Sequence, residues 1–186
     1  MHVEAREGIK TMVELSGLEY YELKPPVRWD AEIRILDALD LGGADVNGTA
    51  RDLVDAVRQC HWTVADIEPG PGVAWVFDAT KDVEQANRSQ WDVVLCTEVL
   101  EHVREWPSIL YSIHNLLKPG GYAFISCASI GRAPHGARGA ARPAPGEWYE
   151  NVPDVTLDTA IHALEFSDWH VSYRPAPGDA YAWARK

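Results

Sequence analysis

Glu98, Glu101 and His102 follow directly on an apolar run, Val93-Val94-Leu95-Cys96, within residues 91–103 (WDVVLCTEVLEHV). A short continuous run of this kind suits a strand buried on both faces of a parallel sheet. The three polar residues are spaced i, i+3 and i+4, so on a following helix they share one face. Two carboxylates and an imidazole are proton or metal carriers. At the carboxyl end of a buried strand they stand where open α/β sheets hold their ligands. The chemistry is expected here.

Composition sets the class in which such a site would sit. A chain of 186 residues fits one domain with an ordinary core. Its apolar content of 46% marks a folded protein, and 24% charged residues is average. The net charge of −11 argues against non-specific nucleic-acid binding, which needs a basic face. Cys60, Cys96 and Cys127 make no C-x-x-C pair, and the last two fall in expected strands. They read as reduced core thiols of a cytosolic protein. No secretory signal opens the sequence, and no run approaches the ~20 apolar residues of a membrane span. The expectation is a cytoplasmic protein without a membrane segment.

Residues 1–30 read as an N-terminal extension. Residues 4–18 can form a helix with Ile9, Met12, Val13 and Leu15 inward, stopped by Lys24-Pro25-Pro26-Val27. Such a segment either covers a site or packs on the sheet edge, and both readings stay open. Residues 33–48 give the first strand and its turn. Ala38-Leu39-Asp40-Leu41 leads into Gly42-Gly43, and Asn47-Gly48 punctuates the loop. Thr49 can cap the next helix, with Asp52 completing a box-like start and Leu53, Val54 and Val57 its apolar stripe. Strand, glycine turn and helix N-terminus make a cofactor site, because glycines admit close backbone approach and free N–H groups face the ligand.

Residues 63–67 read as a second strand ending at Asp66. An acidic residue there can accept hydrogen bonds from both ribose hydroxyls, or can simply form the turn before Pro69-Gly70-Pro71-Gly72. Residues 75–77 are a third strand, ending at Asp78. The link over residues 68–74 is too short for a crossover helix. Extended, it still reaches ~24 Å at ~3.4 Å per residue, so the sheet can stay parallel with a bare loop.

Beyond the central stretch, residues 108–117 are a helix with Ile109, Leu110, Ile113, Leu116 and Leu117 inward. Lys118-Pro119-Gly120-Gly121 stops it, and residues 122–127 are the fifth strand. Residues 131–146, rich in Gly, Ala, Pro and Arg, are a loop or lid carrying His135 between Pro134 and Gly136. Residues 154–165 give a last helix. Residues 169–174 and 180–185 flank residues 175–179 as a hairpin, which puts an antiparallel strand at the sheet edge.

The segments DLGGADVNG, VADIEPGPGV, WDVVLCTEVLEHV and LLKPGGYAFIS together resemble class I S-adenosylmethionine-dependent methyltransferases, from about residue 33 to 186. The most specific part is LLKPGG after EVLEHV. The resemblance implies an α/β fold, Rossmann-like and doubly wound. Its mainly parallel seven-stranded sheet carries an antiparallel C-terminal hairpin strand, with helices on both faces. Residues 31–186 would be the cofactor domain. Asp40, Gly42 and Gly43 would line the methionine portion of S-adenosylmethionine, and Asp66, with Ile67 beside it, would hold the ribose. Asp78 and Ala79 would flank the adenine, and Thr97 and Glu98 would close the site. The family's D-x-G-x-G-x-G turn is altered here, with Ala44 and Val46 in the later glycine places.

Within that family, E-x-x-E-H resembles the metal-holding segment of ubiquinone-pathway O-methyltransferases and of small-RNA 3′-end 2′-O-methyltransferases. It implies Glu98, Glu101 and His102, with His135 as a fourth ligand, around a hard divalent ion such as Mg²⁺. Without an ion, His102 or His135, with Glu101 beside them, would handle the acceptor's proton. Methyl transfer to a good nucleophile can also run on alignment alone.

Three readings remain. The leading one is a methyltransferase acting on a hydroxyl or amine of a small molecule, with a metal-assisted variant for vicinal hydroxyls, an RNA 3′ end included. A dinucleotide-binding oxidoreductase is disfavoured by LLKPGG and the short 68–74 link. A cofactor-binding subunit without catalysis stays open through the altered glycine turn. Neither the acceptor nor the oligomeric state is named by the sequence.

Overall fold

Side chains alternate along the apolar run, and both directions end in a core. Val93 and Leu95 face one way, Val94 and Cys96 the other, and all four are fully buried. The computed structural model describes residues 3–18, 34–44 and 48–186. In chain order the elements are α1 (Val3–Ser16), β1 (Leu36–Leu41), α2 (Arg51–Asp55), β2 (Cys60–Asp66), β3 (Trp75–Val76) and β4 (Trp91–Thr97). They continue with α3 (Trp106–Leu116), β5 (Leu117–Ala128), α4 (Asp154–His162), β6 (Asp168–Arg174) and β7 (Asp179–Arg185).

The strands form one sheet in the order β3-β2-β1-β4-β5-β7-β6. The pairs from β3 to β5 are parallel, and β7 runs antiparallel to both its neighbours. The hairpin expectation is thereby refined: the antiparallel strand lies inside the sheet, and β6 is the outer edge. Helices cover both faces. Ile9, Met12 and Val13 of α1 and Val54 of α2 pack on Leu36, Phe124, Tyr181 and their neighbours. On the other face Ile109, Leu110 and Ile113 of α3 and Leu157 and Ile161 of α4 pack on Leu39, Val94 and Ile125. This is the expected doubly wound arrangement, with β2 joined to the short parallel β3 by a helix-free loop.

Several local expectations are corrected. Leu15 is 58% exposed rather than inward. Helix α1 ends at Ser16, and Gly17, at φ 71°, turns the chain so that Leu18 is buried instead. α1 lies on the sheet face across β5 and β7, beside α2. The Lys24–Val27 stop falls outside the described residues. Thr49 is not the helix cap: Ala50 holds that position, and Asp52 pairs with Arg6 of α1 instead of closing a box. Residues 118–121 do not separate helix from strand, because β5 already begins at Leu117.

That early start has a physical cause. Pairing between β4 and β5 shifts register between Trp91 and Val93. A side chain at Gly121 would approach the Asp92 carbonyl oxygen to 2.9 Å and that of Lys118 to 3.0 Å, so only glycine fits. Asp92 is fully buried there, with Arg34 at 2.7 Å, Lys118 at 2.9 Å and the Asp37 N–H at 2.8 Å. The Trp91-Asp92 and Lys118-Pro119-Gly120-Gly121 segments thus meet at the amino end of the sheet, opposite the candidate site. The three cysteines are free, Cys96 and Cys127 buried and Cys60 half-buried at the start of β2. Among the described residues no helix is long and apolar enough to cross a membrane.

Candidate functional site

β1 and β2 deliver the glycine turn. The N–H groups of Gly42 and Gly43 both donate to the Ala65 carbonyl oxygen, at 2.8 and 3.1 Å. Gly42 sits at φ 74°, and a Cβ there would collide with Val99 Cγ2. Glycine is therefore required twice, by conformation and by the approach of the post-β4 turn. A Cβ on Gly43 would strike the Asp40 carboxyl group at 2.5 Å. Asp40 is itself buried, its carboxylate 3.1 Å from Arg51 Nε and 3.3 Å from Thr49 Oγ1. It supports the turn from beneath. Residues 45–47, including Val46 and Asn47, lie outside the described residues.

Asp66 ends β2 half-buried. One carboxylate oxygen accepts the Ala44 N–H and the other the Glu68 N–H, both at 3.2 Å. It thus ties the glycine turn to the segment after β2. Asp78 is held by Thr80, whose N–H and hydroxyl both donate to it, at 3.0 and 2.6 Å. Those bonds outweigh its slight burial and keep its carboxyl below the usual range. The Ala79 carbonyl oxygen accepts a hydrogen bond from Ser112 of α3. Ile67 and Asp78 line an open cleft of about 610 Å³ with His102, Val103, Arg104 and Trp148. That volume falls within the range of small-ligand sites. Its walls come from the segments that follow β2, β3 and β4, together with Trp148.

Thr97 ends β4, and Glu98 takes φ 57°, a left-handed conformation uncommon outside glycine. The expected helical face does not form. Only Leu100–His102 make a single 3₁₀ turn, and Glu98 lies before it. Its carboxylate accepts the Ser126 hydroxyl at 3.1 Å and lies 3.7 Å from Arg132. Burial, with the charge of Asp179, pushes its carboxyl up to about 6. Arg132 also pairs with the fully buried Asp179, whose second oxygen accepts the Tyr181 hydroxyl at 3.1 Å.

Glu101, His102 and His135 do come together. Each offers a ligand atom, and these atoms lie within 4.8 Å of one another. Glu98 is not in the group, so the expected four-ligand set becomes three. Glu101 is fully buried, and neither carboxylate oxygen has a hydrogen-bond partner. Burial first, then the charge of Glu98, pushes its carboxyl well above the usual range. His135 Nε2 stands 3.7 Å from Glu101 Oε1, while its Nδ1 contacts the Ala133 carbonyl oxygen at 3.3 Å. A neutral ring with its proton on Nδ1 would satisfy that contact and turn Nε2 toward Glu101 as an acceptor. His102 Nδ1 is buried without a hydrogen bond. Burial, and then the neighbouring His135, lower its imidazole to about 4.

Tyr149 packs edge-on against both rings, with centroids 5.4 Å from His102 and 5.0 Å from His135. Its hydroxyl donates to Asn151 Oδ1 at 2.8 Å. Tyr149, Trp148, Arg132 and Asp179 were not singled out by sequence reasoning. Three lie in or just beyond an irregular loop, where no periodicity says which side chains turn inward. Asp179 reads there only as a turn residue.

Comparison with known proteins fits this geometry. The family described as a methyltransferase domain matches residues 31–171. The chain is 36% identical over 101 residues to the ubiquinone biosynthesis O-methyltransferase of Pseudomonas syringae pv. tomato, covering 53% of this chain and 40% of that protein. Over 60 residues it is 40% identical to the enzyme of the same name from Serratia proteamaculans, covering 32% and 25%. The matches therefore span less than half the length of these curated relatives. Among solved structures, the 1,6-didemethyltoxoflavin-N1-methyltransferase of Burkholderia thailandensis superposes with a TM-score of 0.61 at 18% identity, over 98% of this chain and 78% of that one. An S-adenosylmethionine-dependent methyltransferase from Mesorhizobium loti gives 0.60 at 18%, over 96% and 100%. These two likenesses concern the fold. With the strand order, the glycine turn and a family match over most of the chain, the protein belongs to the methyltransferase-domain family and has the fold of the class I methyltransferases.

Proposed function

We propose that the chain binds S-adenosylmethionine across the carboxyl ends of β1 to β4 and moves its methyl group to a small-molecule acceptor, with a hydroxyl favoured over an amine. Support for oxygen comes from the relatives, which are named as O-methyltransferases, and from the buried, unbonded carboxylate of Glu101. In this reading Asp66 holds the ribose, Ile67, Asp78 and Ala79 border the adenine, and Gly42 and Gly43 leave room for the methionine end. Thr97 and Glu98 close the site from β4, with Asp40 bracing the turn. The cofactor supplies an electrophilic methyl group.

The same carboxylate favours a divalent ion as an assistant. A buried carboxyl group facing two imidazoles, with neither oxygen hydrogen-bonded, is costly as the anion unless it takes up a proton or a cation completes the group. Glu101, His102 and His135 would hold it. With Glu98 turned toward Arg132, two of three donors are nitrogen, which moves the preference from Mg²⁺ toward Mn²⁺ or Zn²⁺. The ion would supply Lewis acidity that eases loss of the acceptor's proton. A metal-free reading has its own support in His135, whose partnered Nδ1 orients Nε2 to take that proton.

Calorimetric titration with S-adenosylhomocysteine and NAD, then turnover on a catechol and on a primary amine, tests this. Binding of S-adenosylhomocysteine, catechol methylation and sensitivity to a chelator are expected. Binding of NAD alone would sink the methyltransferase reading, and binding without turnover would favour a non-catalytic subunit.

A further inference from the structure

Residues 131–149 leave the carboxyl end of β5 but do not stay beside it. Arg138 forms an ion pair with Glu68, which follows β2. In the sheet β2 and β5 are separated by β1 and β4. The loop therefore spans about 14 Å, at ~4.8 Å per strand, from the carboxyl end of β5 to the segment after β2.

The loop has a defined shape. The Glu147 carboxylate accepts the N–H groups of Ala137 and Ala144, at 2.5 and 2.6 Å, which ties its two arms together. The Gly136 N–H donates to the Ala140 carbonyl oxygen at 2.8 Å. Where the loop returns, the Glu150 N–H donates to the Glu101 carbonyl oxygen at 2.8 Å, and Asn151 Nδ2 to that of Arg132 at 3.0 Å. Between these ties Trp148 lines the same cleft as Ile67 and Asp78. The Arg104 guanidinium lies over its ring, 4.1 Å from the centroid. Arg104 lines the cleft as well, so indole and guanidinium together offer a surface for a flat, electron-rich ring.

We propose that residues 131–149 form a strap over the cleft, that Trp148 is a wall against which the purine of the cofactor stacks, and that Arg138–Glu68 is the latch. This rests on the cofactor reading above. The latch residues are exposed, with 76% of the Arg138 side chain and 61% of that of Glu68 accessible, so salt screens the pair. The purine wall is partly buried and is insensitive to salt by comparison.

The test measures S-adenosylhomocysteine and adenosine binding to the wild-type chain, Trp148→Ala and Trp148→Phe, with melting curves for each. Trp148→Ala should weaken both ligands by about tenfold or more, and Trp148→Phe by less. Stopped-flow release should speed up several-fold in Arg138→Glu and recover in the Arg138→Glu, Glu68→Arg pair. A wild type that binds neither ligand would overturn the cofactor reading itself. A wild type and Trp148→Ala with equal affinities would overturn the purine wall, and unchanged release in Arg138→Glu would overturn the latch. Should Trp148→Ala fail to fold, ligand-induced quenching of indole emission in the wild type should be reduced in Trp148→Phe. Equal quenching would count against the wall.

Discussion

Lys118 Nζ lies 2.9 Å from a carboxylate oxygen of Asp92, joining the start of β5 to the start of β4. Trp91-Asp92 and residues 118–121 thus meet at the end of the sheet away from the cleft. Their contribution is to the fold, and they set the register in which β4 carries Thr97 and Glu98 to the site.

The first prediction concerns that pair. Burial raises the Asp92 carboxyl, but hydrogen bonds from Arg34, Lys118 and the Asp37 N–H pull harder, and the net shift is downward. A folded value below the unfolded one gives stability that is present above about pH 4 and is lost as the pH falls through the lowered folded value. Asp92→Asn should destabilise by about 1–3 kcal/mol at neutral pH, since Arg34 and Lys118 lose a buried partner but stay partly solvated and Lys118 keeps Asp37. It should also flatten the acid limb of a denaturation series from pH 6 to 2. An unaltered acid limb would show that the pair is not what titrates.

Gly42 offers a second. Gly42→Ala must take φ 74° and press on Val99, so a loss of about 1–3 kcal/mol is expected by chemical denaturation. Val99→Ala should return the steric part and leave the conformational part. Gly42→Val should also abolish binding of S-adenosylhomocysteine. Normal binding by that variant would take the cofactor away from this turn.

Asp66 is expected to act twice. Because its oxygens also hold the Ala44 and Glu68 N–H groups, Asp66→Ala should lower both affinity and melting temperature. The binding loss should be about 1–3 kcal/mol by calorimetry. A melting shift with unchanged affinity would leave Asp66 as a purely structural residue.

A fourth prediction separates the ligand sets. Mn²⁺ or Zn²⁺ should raise the melting temperature of the wild type more than Mg²⁺ does. Glu101→Gln or His135→Ala should cancel the rise, while Glu98→Gln should keep it, since Glu98 faces Ser126 and Arg132. Loss of the rise in Glu98→Gln would restore the four-ligand set. Full turnover after exhaustive chelation would leave the ion without a catalytic part.

The sequence by itself determined the layout. Apolar runs, glycine turns and helical stripes are local signals that gave the order of strands and helices, and the family resemblance carried by those segments implied the doubly wound sheet that forms. The turn at Gly42 and Gly43 was legible for the same reason, since a strand followed by a tight turn limits the residues it accepts. The direction of side chains just after a strand was not. Spacing put Glu98 with Glu101 and His102, but a left-handed φ at Glu98 and one 3₁₀ turn after it sent Glu98 to Arg132 and Asp179, residues distant in the chain. Burial of Glu101, the approach of His135 and the crossing from Arg138 to Glu68 depend on contacts between segments whose positions are set only when the sheet is assembled. Periodicity carries no record of such contacts, so the tertiary structure decided them.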